Sequence, residues 1–81
     1  MKIQLINGQF SKTDALAIIT KMTEVKIKFQ EEKIKNESNE EDVKSRERKI
    51  KFLQQQLFET RNYIETQTEI HLESEIFLNQ N

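Results

Sequence analysis

The chain has 81 residues, a net charge of −1, 33% charged and 35% hydrophobic residues, and no cysteine. This length suffices for one small domain, which would bury only about 60% of the surface that its unfolded chain exposes. Without cysteine, disulfides, thiolate metal sites and a cysteine nucleophile are excluded. We therefore expect a single domain over residues 1–81 that gains stability from self-association or from a partner.

The first segment, residues 2–6, alternates polar and apolar side chains. This pattern predicts a short strand with Ile3 and Leu5 on one face. Asn7-Gly8 follows as a turn signal and predicts the end of that strand.

A first helix is predicted over about residues 12–35. Ser11 is a suitable N-cap, because its hydroxyl can accept a hydrogen bond from the backbone N–H of Asp14. The apolar residues of this helix form two stripes that together cover roughly half of its circumference. The stripes consist of Ala15, Ile18, Met22, Val25 and Phe29, and of Leu16, Ile19, Ile27 and Ile34. So wide an apolar face needs two neighbours, and we assign the Met22 and Phe29 stripe to the core.

A second helix is predicted over about residues 39–66, after a polar break at residues 36–39. Ser38 and Glu41 have the spacing of a capping box. Apolar residues then recur at heptad spacing and predict a seam facing the first helix. The seam consists of Val43, Ile50, Leu53, Leu57 and Ile64. The connection is short, so the two helices should be antiparallel neighbours.

The last segment, residues 69–78, changes to a period of two. Its apolar residues at even positions are Ile70, Leu72, Ile76 and Leu78. This period predicts a strand. The sequence therefore predicts an α+β fold of order β-α-α-β, with an antiparallel helical hairpin packed on a small antiparallel sheet of the N- and C-terminal strands. The alternative is a helical hairpin without a sheet, acting as a coiled-coil adaptor.

A two-stranded sheet is marginal in water, and its free edges can pair with another chain. We expect a two-fold homodimer, joined through strand edges or through helix faces. The candidate interface residues are Phe52, Tyr63, Ile70, Leu72, Ile76 and Leu78. Charge alternates in blocks along the chain, and these blocks would complement one another if a helix folds back or if a second copy packs antiparallel.

The sequence offers little for catalysis or for a cofactor, and we expect neither. No serine or threonine lies in a nucleophile-elbow context, and no Gly-rich phosphate loop is present. His71, Glu73 and Glu75 would project together from the last strand, where a divalent cation could bind. Such a row more commonly keeps a strand edge soluble, and we expect no metal.

The basic stretch 44–51 could follow a phosphate backbone through Lys44, Arg48 and Lys51, with Phe52 available for stacking. The same residues could instead form a solvated face that pairs with acidic residues one turn away. The pI near 5.9 favours the second interpretation.

These observations predict a non-enzymatic structural or protein-interaction module, most simply a homodimer, with another protein as a further possible partner. A weak nucleic-acid-binding protein is the alternative. The apolar run at residues 1–6 is too short for a signal peptide, and no stretch approaches the roughly 20 apolar residues of a membrane span. We therefore expect a cytoplasmic protein without membrane contact.

Overall fold

The computed structural model describes residues 1–80 and contains two strands and two helices. Their order is β1 (Lys2–Ser11), α1 (Lys12–Lys35), α2 (Glu40–Glu65) and β2 (Glu69–Phe77). The helices pack side by side, and the two strands pair antiparallel in one sheet. The predicted β-α-α-β fold is confirmed, and the alternative of a hairpin without a sheet is wrong.

Helix α1 has the predicted bounds and the predicted cap. The Ser11 Oγ accepts a hydrogen bond from the N–H of Asp14 at 3.1 Å. Asp14 also places a negative charge in the first turn, where the helix dipole favours it. Strand β1 therefore passes into α1 without an intervening loop.

Helix α2 is capped by Asn39, so the predicted capping box of Ser38 with Glu41 is wrong. The Asn39 Oδ1 accepts from the N–H of Glu41 at 2.9 Å and from the N–H of Asp42 at 3.2 Å. One amide side chain thus satisfies two of the free N–H groups of the first turn. The helix consequently begins at Glu40, one residue later than predicted.

Strand β1 extends to Ser11, so the predicted strand end at residue 6 and the turn at Asn7-Gly8 are wrong. Gly8 has no positive φ and lies opposite Leu72 in the sheet. A Cβ at Gly8 would be 3.6 Å from the ring of Phe10. That distance is an ordinary van der Waals contact, so Gly8 is a residue of a continuous strand and does not make a turn.

The register of the sheet shifts once, between Gln4 and Ile6, which leaves Leu5 in a β-bulge. Beyond this bulge Ile6, Gly8 and Phe10 are half-buried, and the residues between them are exposed. The bulge allows apolar residues at both odd and even positions of β1 to face the helices.

The chain ends close the sheet. The backbone N–H of Leu78 donates to the carbonyl of Met1 at 2.7 Å, just beyond the last residue of β2. At the other end of the sheet the N–H of Lys12 donates to the carbonyl of Thr68 at 3.2 Å. Strand β2 ends at Phe77, one residue earlier than predicted.

Helix α1 lies between the sheet and α2, and the three form a flat slab of 45 × 32 × 14 Å. The smallest dimension is little more than the diameter of one helix with its side chains. Three apolar residues, Ala15, Leu53 and Ile64, are buried among the described residues. A molecule of this shape buries apolar side chains only along the lines where its elements touch.

The predicted core stripe of α1 is therefore only partly buried. Ala15 is buried and Ile18 and Met22 are half-buried, but Val25 and Phe29 are exposed. Assigning the whole stripe to the core is wrong, because a two-stranded sheet on one side and α2 on the other leave the C-terminal half of this stripe uncovered.

The Asn39 cap can be tested by stability. Replacing Asn39 with Ala should lower the free energy of unfolding by about 1 kcal/mol, because two N–H groups lose their acceptor. Ser38→Ala is the matched control and should change stability by less than about 0.5 kcal/mol. Urea denaturation followed by circular dichroism measures both. A larger loss of stability for Ser38→Ala than for Asn39→Ala would instead support the capping box of Ser38 with Glu41.

Ile64, in the last turn of α2, is the most deeply buried residue of that helix, with 1% exposure. Ile64→Ala should cost about 2 to 5 kcal/mol, since it leaves a cavity in the best-packed part of the molecule. Leu57→Ala lies on the same seam but removes a half-buried side chain, so it should cost less. Thermal denaturation at equal protein concentration compares the two, and equal losses would contradict this description of the seam.

Candidate interaction surface

One face of the slab carries three adjoining depressions. The first lies between the sheet and α1, has a volume of about 500 Å³, and is lined by Leu5, Met22, Val25 and Ile76. The second lies between the helices, and Val25 lines both depressions. The shared side chain makes the apolar lining continuous from the sheet to the helical hairpin.

The second depression has a volume of about 390 Å³ and is lined by Phe29 and Leu53 in addition to Val25. The third, of about 450 Å³, continues from Leu53 to Phe52 on α2. We call the combined surface the open face. It consists of Leu5, Met22, Val25, Phe29, Phe52, Leu53 and Ile76.

The apolar side chains of the open face are accessible to solvent. Val25 is 69% exposed, Phe52 65%, Phe29 54%, Leu5 51% and Ile76 39%. At about 200 Å² for a large side chain, these five together expose roughly 550 Å². This value is at the upper end of the largest apolar patch on an ordinary monomer.

The charges around the open face are all positive. Lys26, Arg48 and Lys49 line its depressions, and no Asp or Glu does. Lys26 borders all three depressions, whereas Arg48 and Lys49 border only the one beside Phe52. The open face therefore has a basic end on the helical hairpin, and Lys26 is the charged residue that lines its sheet end.

The opposite side of α1 has a different character. A smaller depression there, of about 230 Å³, is lined by Lys21, Glu24 and Arg61 together with Leu16, Ala17 and Thr20. The Arg61 guanidinium donates to the Thr20 hydroxyl and links the two helices. Charged side chains of both signs therefore line this depression, whereas the charged side chains that line the open face are all cations.

The predicted interface residues are divided among several locations. Phe52 and Ile76 lie on the open face. Ile70 and Leu72 are half-buried on β2, whereas Tyr63 is 59% exposed on α2. Leu78 follows β2 and is 48% exposed. Of the six residues, Phe52 and Ile76 line the depressions of the open face, and whether the six form an interface stays a prediction.

Sequence reasoning missed Val25 and Phe29, which belong to a regular helical stripe and were assigned to the core. One signal in the sequence could have indicated their exposure. The apolar stripe of α1 is wide, and the predicted strands that had to cover it are short. Leu5 was placed correctly toward the helices, but its bulge had no signature in the sequence.

The predicted nucleic-acid residues are exposed on α2. Lys44 forms an ion pair with Glu40 at 3.9 Å, one turn earlier on the helix. Arg48 lies beside Lys49 and Phe52, and Lys51 is exposed on the same helix. The Arg46 side chain instead contacts α1. Its guanidinium donates a hydrogen bond to the Gln30 side chain across the hairpin at 2.9 Å.

His71, Glu73 and Glu75 alternate along β2 opposite Gln9, Asn7 and Gln4. Across residues 1–80, no three His, Asp or Glu side chains come close enough together to hold a metal ion. No helix in the same range is long and apolar enough to cross a membrane.

Comparison with protein-family models, with curated proteins and with solved structures finds no match.

Proposed function

We propose that this protein is a non-enzymatic protein-interaction module that acts as a homodimer, with the open face as its interface. The observation that carries the proposal is an excess of surface. The chain exposes 6593 Å², whereas a compact monomer of 9.7 kDa would expose about 5,100 Å². The excess is roughly 1,500 Å².

This excess has the size that a stable dimer would bury. A standard interface removes about 800 Å² from each partner, and obligate homodimers remove more. The radius of gyration supports the same interpretation, since it is 15.3 Å compared with about 12 Å for a compact chain of this length. The open face accounts for a large apolar part of the excess.

A second copy is the simplest occupant of the open face. Domains are normally built from two or more packed layers around a shared core. Two slabs stacked on their open faces would enclose Val25, Phe29 and Phe52 in such a core.

The proposed location of this homodimer is the cytoplasm.

The first test is the mass in solution. Light scattering of the parent chain at tens of micromolar should give about twice the chain mass of 9.7 kDa. Phe52→Asp should raise the dimer dissociation constant by at least about tenfold, because it replaces an apolar side chain of the proposed interface with a charge.

Phe58→Asp is the matched control, since Phe58 is also an exposed aromatic of α2, at 62%, but does not line the open face. It should leave the mass unchanged. Circular dichroism verifies that both variants fold. A parent chain that is monomeric at this concentration would contradict the proposal.

Nucleic-acid binding is the second candidate, because Arg48, Lys49 and Phe52 share one depression, with cations beside an aromatic ring. If it operates, a labelled single-stranded DNA or RNA should bind at low salt and lose affinity steeply between 50 and 200 mM salt, through counterion release. Fluorescence anisotropy measures this. Absent binding, or binding that salt does not change, removes the candidate.

A further inference from the structure

The cations at the basic end of the open face have no acidic partner on their own helix. Arg48 and Lys49 are exposed and line one depression together with Phe52. Side chains pair along a helix at spacings of three or four residues, and no Asp or Glu lies at either spacing from Arg48 or Lys49. Among residues 1–80, neither cation forms an ion pair elsewhere. A surface that covers this end must therefore bring acidic groups or leave both charges uncompensated.

The same side of α2 carries two carboxylates one turn earlier. Glu41 and Asp42 precede Ser45, which lines the same depression as Arg48 and Lys49, by four and three residues. Residues at these spacings share one face of a helix, so both carboxylates project to the side of Ser45. Both are exposed, and within residues 1–80 neither forms an ion pair. One face of α2 thus holds an unpaired acidic pair and an unpaired basic pair.

Ser45 is the centre of this pattern, because the cations follow it by three and four residues. If two copies of α2 pack antiparallel with a two-fold axis at Ser45, each residue faces the one at the same distance on the other side of Ser45. Arg48 then faces the partner's Asp42, and Lys49 faces the partner's Glu41. The face is therefore complementary to itself in this orientation, and the small Ser45 side chain lets the helices approach closely.

Other positions of the axis match the charges less well. Glu59, about four turns after Ser45, is the remaining acidic residue on this side of α2. An axis that sets Arg48 against Glu59 sets Lys49 against Phe58, which does not line the open face. The axis at Ser45 gives both cations a carboxylate.

We propose that two copies of the chain pack antiparallel through α2, with the two-fold axis at Ser45 and with Arg48 and Lys49 of each copy against the acidic first turn of the other. This inference rests on the proposed homodimer and gives its arrangement. Each dimer contains the basic-to-acidic contact twice. Phe52, seven residues from the axis, faces the connection between the partner's helices. The apolar side chains supply the buried area, and the charges select the orientation.

The experiment uses two charge-reversed full-length variants. The acidic variant carries Arg48→Glu and Lys49→Glu, and the basic variant carries Glu41→Lys and Asp42→Lys. All four positions are exposed, so both variants should fold, which circular dichroism verifies. In a homodimer of either variant every contact joins like charges, whereas in the mixed dimer every contact joins opposite charges.

We expect each variant alone to dimerise about tenfold or more weakly than the parent at low salt. An equimolar mixture should form the heterodimer, identified by its mass in native mass spectrometry. A swapped variant with all four substitutions should dimerise like the parent, because its contacts again join opposite charges. Added salt should reduce the differences, since it screens exposed charges.

A further variant, Lys21→Glu with Lys28→Glu, controls for net charge. It has the same net charge as the acidic variant, but neither position lines the open face. It should dimerise like the parent.

The position of the axis has a separate test, because the chain contains no cysteine and an introduced one is unique. Ser45→Cys sets two thiols against each other on the axis, so mild oxidation should give a disulfide-linked dimer on a non-reducing gel. Gln54→Cys is the control, since Gln54 is exposed two and a half turns later, on the opposite side of α2. It should remain largely unlinked, and equal linking of the two variants would contradict the axis at Ser45.

The outcomes separate this inference from the proposed function. If the parent dimerises and both charge-reversed variants dimerise equally well, the arrangement is wrong while the homodimer stands. The arrangement is also wrong if each variant is weakened but neither mixing them nor swapping all four charges restores the dimer. If the parent itself is monomeric, the homodimer is wrong and this arrangement is wrong with it.

Discussion

The structure depends on one helix having two neighbours. Helix α1 is apolar over about half of its circumference, and it lies between the sheet and α2. Neither neighbour is wide enough to cover it completely, because the sheet has two strands and α2 is a single helix. The molecule is therefore 14 Å thick, and within residues 1–80 three apolar residues are buried. The flat shape and the open face both follow from this mismatch.

Periodicity in the sequence was sufficient to predict the order and type of the elements. The heptad repeat of α2 and the change to a period of two after Gln67 are strong signals, since each extends over several residues. The bounds of α1 also follow from the sequence, because Ser11 is a cap and residues 36–39 are polar. A short hairpin connection then requires the two chain ends to meet.

The errors arose where a local signal competed with tertiary contacts. Asn7-Gly8 resembles a turn, but both residues pair with β2, opposite Glu73 and Leu72, and the backbone stays extended. Ser38 and Asn39 are both good caps, and sequence alone does not rank two adjacent candidates. Helical spacing identifies Val25 and Phe29 as one apolar stripe. Whether a neighbour covers that stripe depends on the width of the sheet. The period of a sequence pattern gives no information about that width.

The register of the sheet also has a consequence for the order of folding. Lys2 pairs with Phe77, so almost the entire chain lies between the two paired residues. The helical hairpin closes only a short connection and can form early, whereas the strands can meet only after the hairpin has brought them together. Pairing of the strands is therefore the late step in folding. The backbone amides of the strands should exchange with solvent sooner than those at the centre of the hairpin.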